Sequence, residues 1–109
     1  MIYLYVLGAN MTIEQIRTED CLQLNVEGKI DTLTSPEFQD AVLKSFQKSN
    51  NIIINFDKVP YISSAGLRAL ILGQRTASSK GGSFTLINVS PTVYSVLSET
   101  GFDKILTIK

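Results

Sequence analysis

The chain has no histidine and no tryptophan, and its 109 residues include one cysteine and three prolines. Without histidine, the commonest general base and the commonest metal ligand are both gone, which excludes Ser-His-Asp and Cys-His catalysis. The lone Cys21 excludes an internal disulfide and leaves zinc without a donor set. Its place in an alternating apolar stretch predicts a buried or half-buried thiol rather than a reactive one. Neither sign of charge is in excess, with ten Lys and Arg against ten Asp and Glu, and the basic residues form no run. No field of the chain therefore recruits nucleic acid or an anionic membrane. No stretch approaches the roughly 18 to 20 apolar residues that cross a bilayer. The opening Met1-Ile2-Tyr3-Leu4-Tyr5-Val6-Leu7 is apolar but short for a signal peptide and lacks a basic flank. A cytoplasmic location without membrane insertion is the expectation.

Phosphate-binding and nucleophile motifs are lacking too. There is no Gly-x-x-x-x-Gly-Lys-Ser/Thr loop and no Gly-x-Ser-x-Gly elbow, and neither Ser63 nor Ser64 has a lysine three residues on. Asp31, Glu37, Asp40 and Asp57 each sit where a turn, a cap or a solvated helix face accounts for them. No cofactor, no metal and no catalytic set is implied, which leaves surface recognition.

At 109 residues and 12.0 kDa, the length fits one domain with one core. Met11-Thr12-Ile13 is a natural beginning for it, so residues 1–10 read as an extra segment, either an upstream start or an added strand, ahead of a domain over residues 11–109. Residues 12–17 and 21–27 alternate apolar with polar and predict an antiparallel hairpin turning at Thr18-Glu19-Asp20. A helix is expected with Thr34 or Ser35 as its cap, Pro36 in its first turn and Phe38, Ala41, Val42, Ser45 and Phe46 on one face. The β-branched run Ile52-Ile53-Ile54-Asn55-Phe56 predicts a central strand covered on at least one face, with its continuity favouring both. The next helix starts at Ser63 or Ser64, since Pro60 forbids it earlier, and runs to about Lys80 with Leu67, Leu70, Ile71, Gln74 and Ala77 or Ser78 inward. Arg68 and Arg75 share its outer stripe.

Gly81-Gly82 then ends that helix, residues 83–89 form a strand, and Ser90-Pro91 opens a last helix with Val93, Val96, Leu97 and Thr100 inward. Gly101 is placed to terminate it in the left-handed conformation, and residues 105–108 give an edge strand. The order predicts an α/β fold: a mixed four- to five-stranded sheet with about three helices and a right-handed βαβ crossover over residues 52–89. If the strands ending near Glu27 and Phe56 are parallel neighbours, the loops after them meet at one edge. Partner sites gather at such edges.

The most informative segment lies there. Tyr61-Ile62-Ser63-Ser64-Ala65-Gly66-Leu67 puts two hydroxyls and a glycine where a loop becomes an apolar helix. The unpaired N–H groups and positive dipole end of a first helical turn tolerate an added phosphate, although a serine in this place is also an ordinary N-cap. The segment resembles the signature of the STAS domain, as found in the small bacterial anti-sigma factor antagonists. Ile62 stands at its hydrophobic position, Ser63 where aspartate is frequent, Ser64 at the phosphoacceptor, Ala65 at the small residue, and Gly66-Leu67 at its end. Gly28-Lys29-Ile30-Asp31 is similar to the family's Gly-Glu-Leu-Asp.

The resemblance, over residues 12–109, implies the STAS fold and a non-enzymatic partner switch. Ser64, with Ser63 as the alternative hydroxyl, would be phosphorylated by an anti-sigma factor with serine kinase activity and reset by a phosphatase. Asp31, Thr32, Tyr61, Ser63, Ala65, Gly66, Leu67 and Arg68 would form the partner-binding corner. STAS domains also serve as unphosphorylated scaffolds and as transporter appendages.

Overall fold

In the computed structural model, which describes residues 2–6 and 11–109, the sheet has six strands in sequential order. They are β1 (Ile2–Val6), β2 (Met11–Arg17), β3 (Leu22–Gly28), β4 (Asn51–Lys58), β5 (Ser83–Ile87) and β6 (Thr107–Ile108). The first two pairings are antiparallel and the remaining three parallel. Each parallel step carries a helix: α1 (Ser35–Ser45), α2 (Ser64–Ser79) and α3 (Pro91–Glu99). The mixed sheet with three helices is the architecture expected. The additional strand is Ile2–Val6, which pairs antiparallel with β2 at the edge of the sheet.

Because β3, β4, β5 and β6 advance in one direction, three right-handed crossovers put all three helices on one face. The core is accordingly a single cluster between that face and the helices, including Leu24, Phe38, Val42, Ile54, Leu70, Phe84, Val93 and Leu97. Strand β4 is covered on one face, and the expected cover of its second face is corrected. Ile52, Ile54 and Phe56 are buried, but Ile53 and Asn55 lie half-buried on the helix-free face. A polar ladder crosses that face. Asn25 donates to Glu14 (3.0 Å), Asn55 to Asn25 (3.0 Å) and Asn88 to Asn55 (2.9 Å), so the amides saturate one another where no helix covers them.

Two helix readings are also corrected. On α3, Val93 and Leu97 are buried and Val96 is packed against the core, but Thr100 is exposed; its hydroxyl donates back to the Val96 carbonyl at 2.8 Å. On α2 the buried residues are Gly66, Leu67, Ala69, Leu70, Gly73 and Ala77. This helix packs against α1 as well as the sheet, so its buried arc turns toward Ala69 and Gly73; Ile71 is half-buried and still packs against the core, whereas Ser78 is exposed. A β-carbon on Gly73 would lie 2.6 Å from Phe84 and 3.0 Å from Val42, which shows how closely α2 approaches both neighbours. Finally, Gly101 is left-handed as expected (φ 79°), but a short 3-10 turn over Phe102–Lys104 follows it. Ile105 therefore falls outside the edge strand, which begins at Thr107.

Candidate functional site: a corner between two loops

The loops after β3 and β4 are zipped together. Ile30 N–H donates to the Tyr61 carbonyl (3.0 Å) and Ser63 N–H to the Ile30 carbonyl (2.7 Å), forming a parallel bridge between Ile30 and Ile62 beyond the ends of the strands. Both isoleucines are buried, and Gly66 lets α2 settle onto them: a β-carbon there would lie 2.7 Å from each. The starts of α1 and α2 consequently meet, with the Ser35 and Ser63 hydroxyls 3.2 Å apart.

This contact separates the two serines by role. Ser63 is the N-cap of α2: its extended backbone (φ −89°, ψ 172°) turns its hydroxyl to accept from the Gly66 N–H at 3.2 Å, while the Ser35 hydroxyl occupies its other side. Ser64, the first helical residue, is exposed, and its hydroxyl bonds no described residue. Of the two hydroxyls, the exposed and unengaged one is thus that of Ser64.

The facing loop is organised by Asp31. One oxygen of its carboxylate accepts from the backbone N–H groups of Leu33 and Thr34, both at 3.0 Å, and lies 3.2 Å from the Thr34 hydroxyl. That hydroxyl accepts from the Asp31 N–H (2.9 Å) and donates to the Lys29 carbonyl (2.8 Å), so Thr34 precedes α1 without capping it through its side chain. The Thr34 N–H, aided by the Thr34 hydroxyl and the Leu33 N–H and opposed by desolvation, holds the Asp31 carboxyl below its ordinary range. A lowered folded pKa stabilises above the unfolded value of about 3.9 and ceases to do so as pH falls through the folded value. Asp31→Ala is therefore expected to melt earlier than the parent at neutral pH and to converge on it below about pH 4, as read from melting temperatures across pH.

Of the residues assigned to the corner, Thr32, Tyr61, Ser64 and Arg68 are exposed, and Asp31, Ser63 and Ala65 are half-buried. Gly66 and Leu67 face the core and shape the corner from beneath. One surface residue escapes the sequence reading. Leu33 is 80% exposed beside Thr32, and with Tyr61 at 46% it gives the corner two uncovered apolar side chains. The available signal was a leucine inside the polar loop Asp31-Thr32-Leu33-Thr34-Ser35 that serves neither a strand nor a helix period.

The family model of the STAS domain matches residues 12–109. The chain belongs to the STAS domain family. This STAS domain is 24% identical over 99 residues to the anti-sigma-B factor antagonist of Bacillus subtilis, the match covering 91% of each chain. The crystal structure of an anti-sigma factor antagonist from Mycobacterium paratuberculosis superposes with a TM-score of 0.79 at 21% identity, over 90% of this chain and 84% of that one. The Bacillus cell fate determinant SpoIIAA in its phosphorylated form does so with a TM-score of 0.67 at 19% identity, over 100% of this chain and 91% of that one. Among the described residues, the STAS domain has no helix long and apolar enough to cross a membrane, and no group of three or more His, Cys, Asp or Glu placed to hold a metal ion.

Proposed function

We propose that this STAS domain is an anti-sigma factor antagonist whose docking is switched at Ser64. In the unmodified state the corner of Thr32, Leu33, Tyr61, Ser64 and Arg68 docks on an anti-sigma factor that is also an ATP-dependent serine kinase, and so frees a sigma factor. Phosphorylation of Ser64 ends the docking, and a phosphatase restores it. The domain itself holds no ATP and catalyses nothing: it is the substrate of its partner, in the cytoplasm, and it acts on transcription without touching nucleic acid.

The observation that carries this reading is the division of labour between the two serines. Ser63 spends its hydroxyl on the cap and on Ser35, whereas Ser64 presents a free one at the first helical position. The names of the curated relatives, anti-sigma-B and anti-sigma F factor antagonists, support the partner class. Incubation with an anti-sigma kinase and ATP, followed by peptide mapping in a mass spectrometer, is expected to place one phosphate on Ser64. Ser63→Ala should still be modified, and Ser64→Ala should not. Phosphate on Ser63, or on neither serine, would overturn the assignment, and the latter result favours an unphosphorylated scaffold.

A further inference from the structure

Beyond the corner, α2 carries an apolar strip that the core covers only in part, Ile71 packing against it and Leu72 standing outside it. Ile71 and Leu72 emerge half-exposed because the buried arc of the helix turns toward Ala69 and Gly73. Opposite them stand Phe102 of the 3-10 turn and Ile105, which is 54% exposed. Together they floor a groove of about 400 Å³, with Arg68 and Arg75 completing its lining.

The two arginines give the groove a sign. They are seven residues apart on one stripe of α2, about 10 Å along the axis. Both are exposed, and no carboxylate lines the groove. The ion pairs among the described residues are Lys44 with Asp40 and Lys58 with Glu27, so neither guanidinium has an acidic partner among the described residues.

We infer that this groove seats an amphipathic helix of a partner protein, apolar on the face it buries and carrying Glu or Asp about seven residues apart to meet Arg68 and Arg75. A helix has the right form. Its apolar ridge packs at about 8 to 10 Å from α2, and two carboxylates two turns apart repeat the arginine spacing. Arginine presents a planar fork that pairs with carboxylate in two-pronged fashion, and exposed charges of this kind set orientation and partner choice more than affinity. Groove and corner share Arg68. If the reading of Ser64 given above holds, its phosphate lies one turn from Arg68, where it competes for that guanidinium and repels the acidic helix; only this coupling rests on that reading.

The test leaves Ser64 out. The uniformly ¹⁵N-labelled protein is titrated with a stapled helical peptide of about four turns, apolar at every third or fourth position and with Glu on both flanks, and with the same peptide carrying Lys instead. Amide shifts confined to the groove, at Ile71, Leu72, Arg75, Phe102 and Ile105, are expected with the Glu peptide below about 1 mM. Binding should weaken about fivefold in Arg68→Glu/Arg75→Glu, as the loss of two exposed pairs implies, and at higher salt. Three results overturn the inference: no groove shifts at about 1 mM, an equal response to the Lys peptide, or shifts centred elsewhere on the molecule. None of them bears on the phosphorylation of Ser64, which the kinase assay decides.

Discussion

Ser64→Asp is expected to weaken binding of the anti-sigma factor by about 10- to 100-fold, and Ser64→Ala to leave it unchanged, in side-by-side titration calorimetry. The asymmetry follows from where the oxygen sits. The Ser64 hydroxyl makes no hydrogen bond to a described residue, so removing it costs the free domain little. Adding an anion there costs the free domain little as well. The start of α2 has no acidic residue in its first turn, and a negative charge at a helix N-terminus gains about 0.3 to 1 kcal/mol.

The penalty therefore falls on the complex, where a charge enclosed against a partner loses its water and meets whatever acidic groups lie opposite. A combined readout separates this account from misfolding: the melting temperature of Ser64→Asp should stay level or rise slightly while affinity falls. Loss of both together would mean that the variant damages the helix.

The second large effect is structural. Gly82→Ala is expected to destabilise the domain by about 3 kcal/mol or more, at or beyond the upper end of usual overpacking costs. Gly82 follows α2, its N–H donating to the Ala77 carbonyl at 2.8 Å, and a β-carbon on it would lie 1.8 Å from the backbone oxygen of Asn50. That oxygen accepts the Ser83 N–H at 3.0 Å and so joins the entries of β4 and β5. The backbone on both sides is tied, and a methyl has nowhere to go. Gly81 is the control. Its φ of 66° is left-handed, but nothing lies within 4 Å of a β-carbon there, so Gly81→Ala should cost only the conformational penalty of about 1 to 2 kcal/mol. Urea unfolding compares the two, and equal midpoints would show that the Asn50 contact is not what makes Gly82 necessary.

The strands, helices and their order were legible because their signals are local. Alternation marks β2 and β3, proline after a hydroxyl residue opens α1 and α3, and Gly81 and Gly101 close helices with positive φ. What the sequence concealed depends on which side of the sheet the helices take. Ile53 has the same chemistry as Ile52 and Ile54 but is half-exposed, because three crossovers of one hand leave a face bare. Ile105, expected in the edge strand, precedes it and stands at a groove, and Ile71 packs against the core on one side while lining that groove on the other. At the corner, the motif located Ser64, whereas the meeting of Ser63 with Ser35 across 28 positions of sequence needed the Ile30–Ile62 bridge to become visible. That meeting is what distinguishes the two hydroxyls.

The most direct measurement is titration of one anti-sigma factor with the domain in two states, unmodified and fully phosphorylated on Ser64. Reversing a complex from mostly bound to mostly free takes about 5.5 kcal/mol, and a phosphate carries about 1.5 to 2 charges against one for aspartate. The phosphorylated domain should therefore bind about a thousandfold or more weaker than the unmodified one, with its melting temperature maintained. Equal affinities in the two states would contradict the switch.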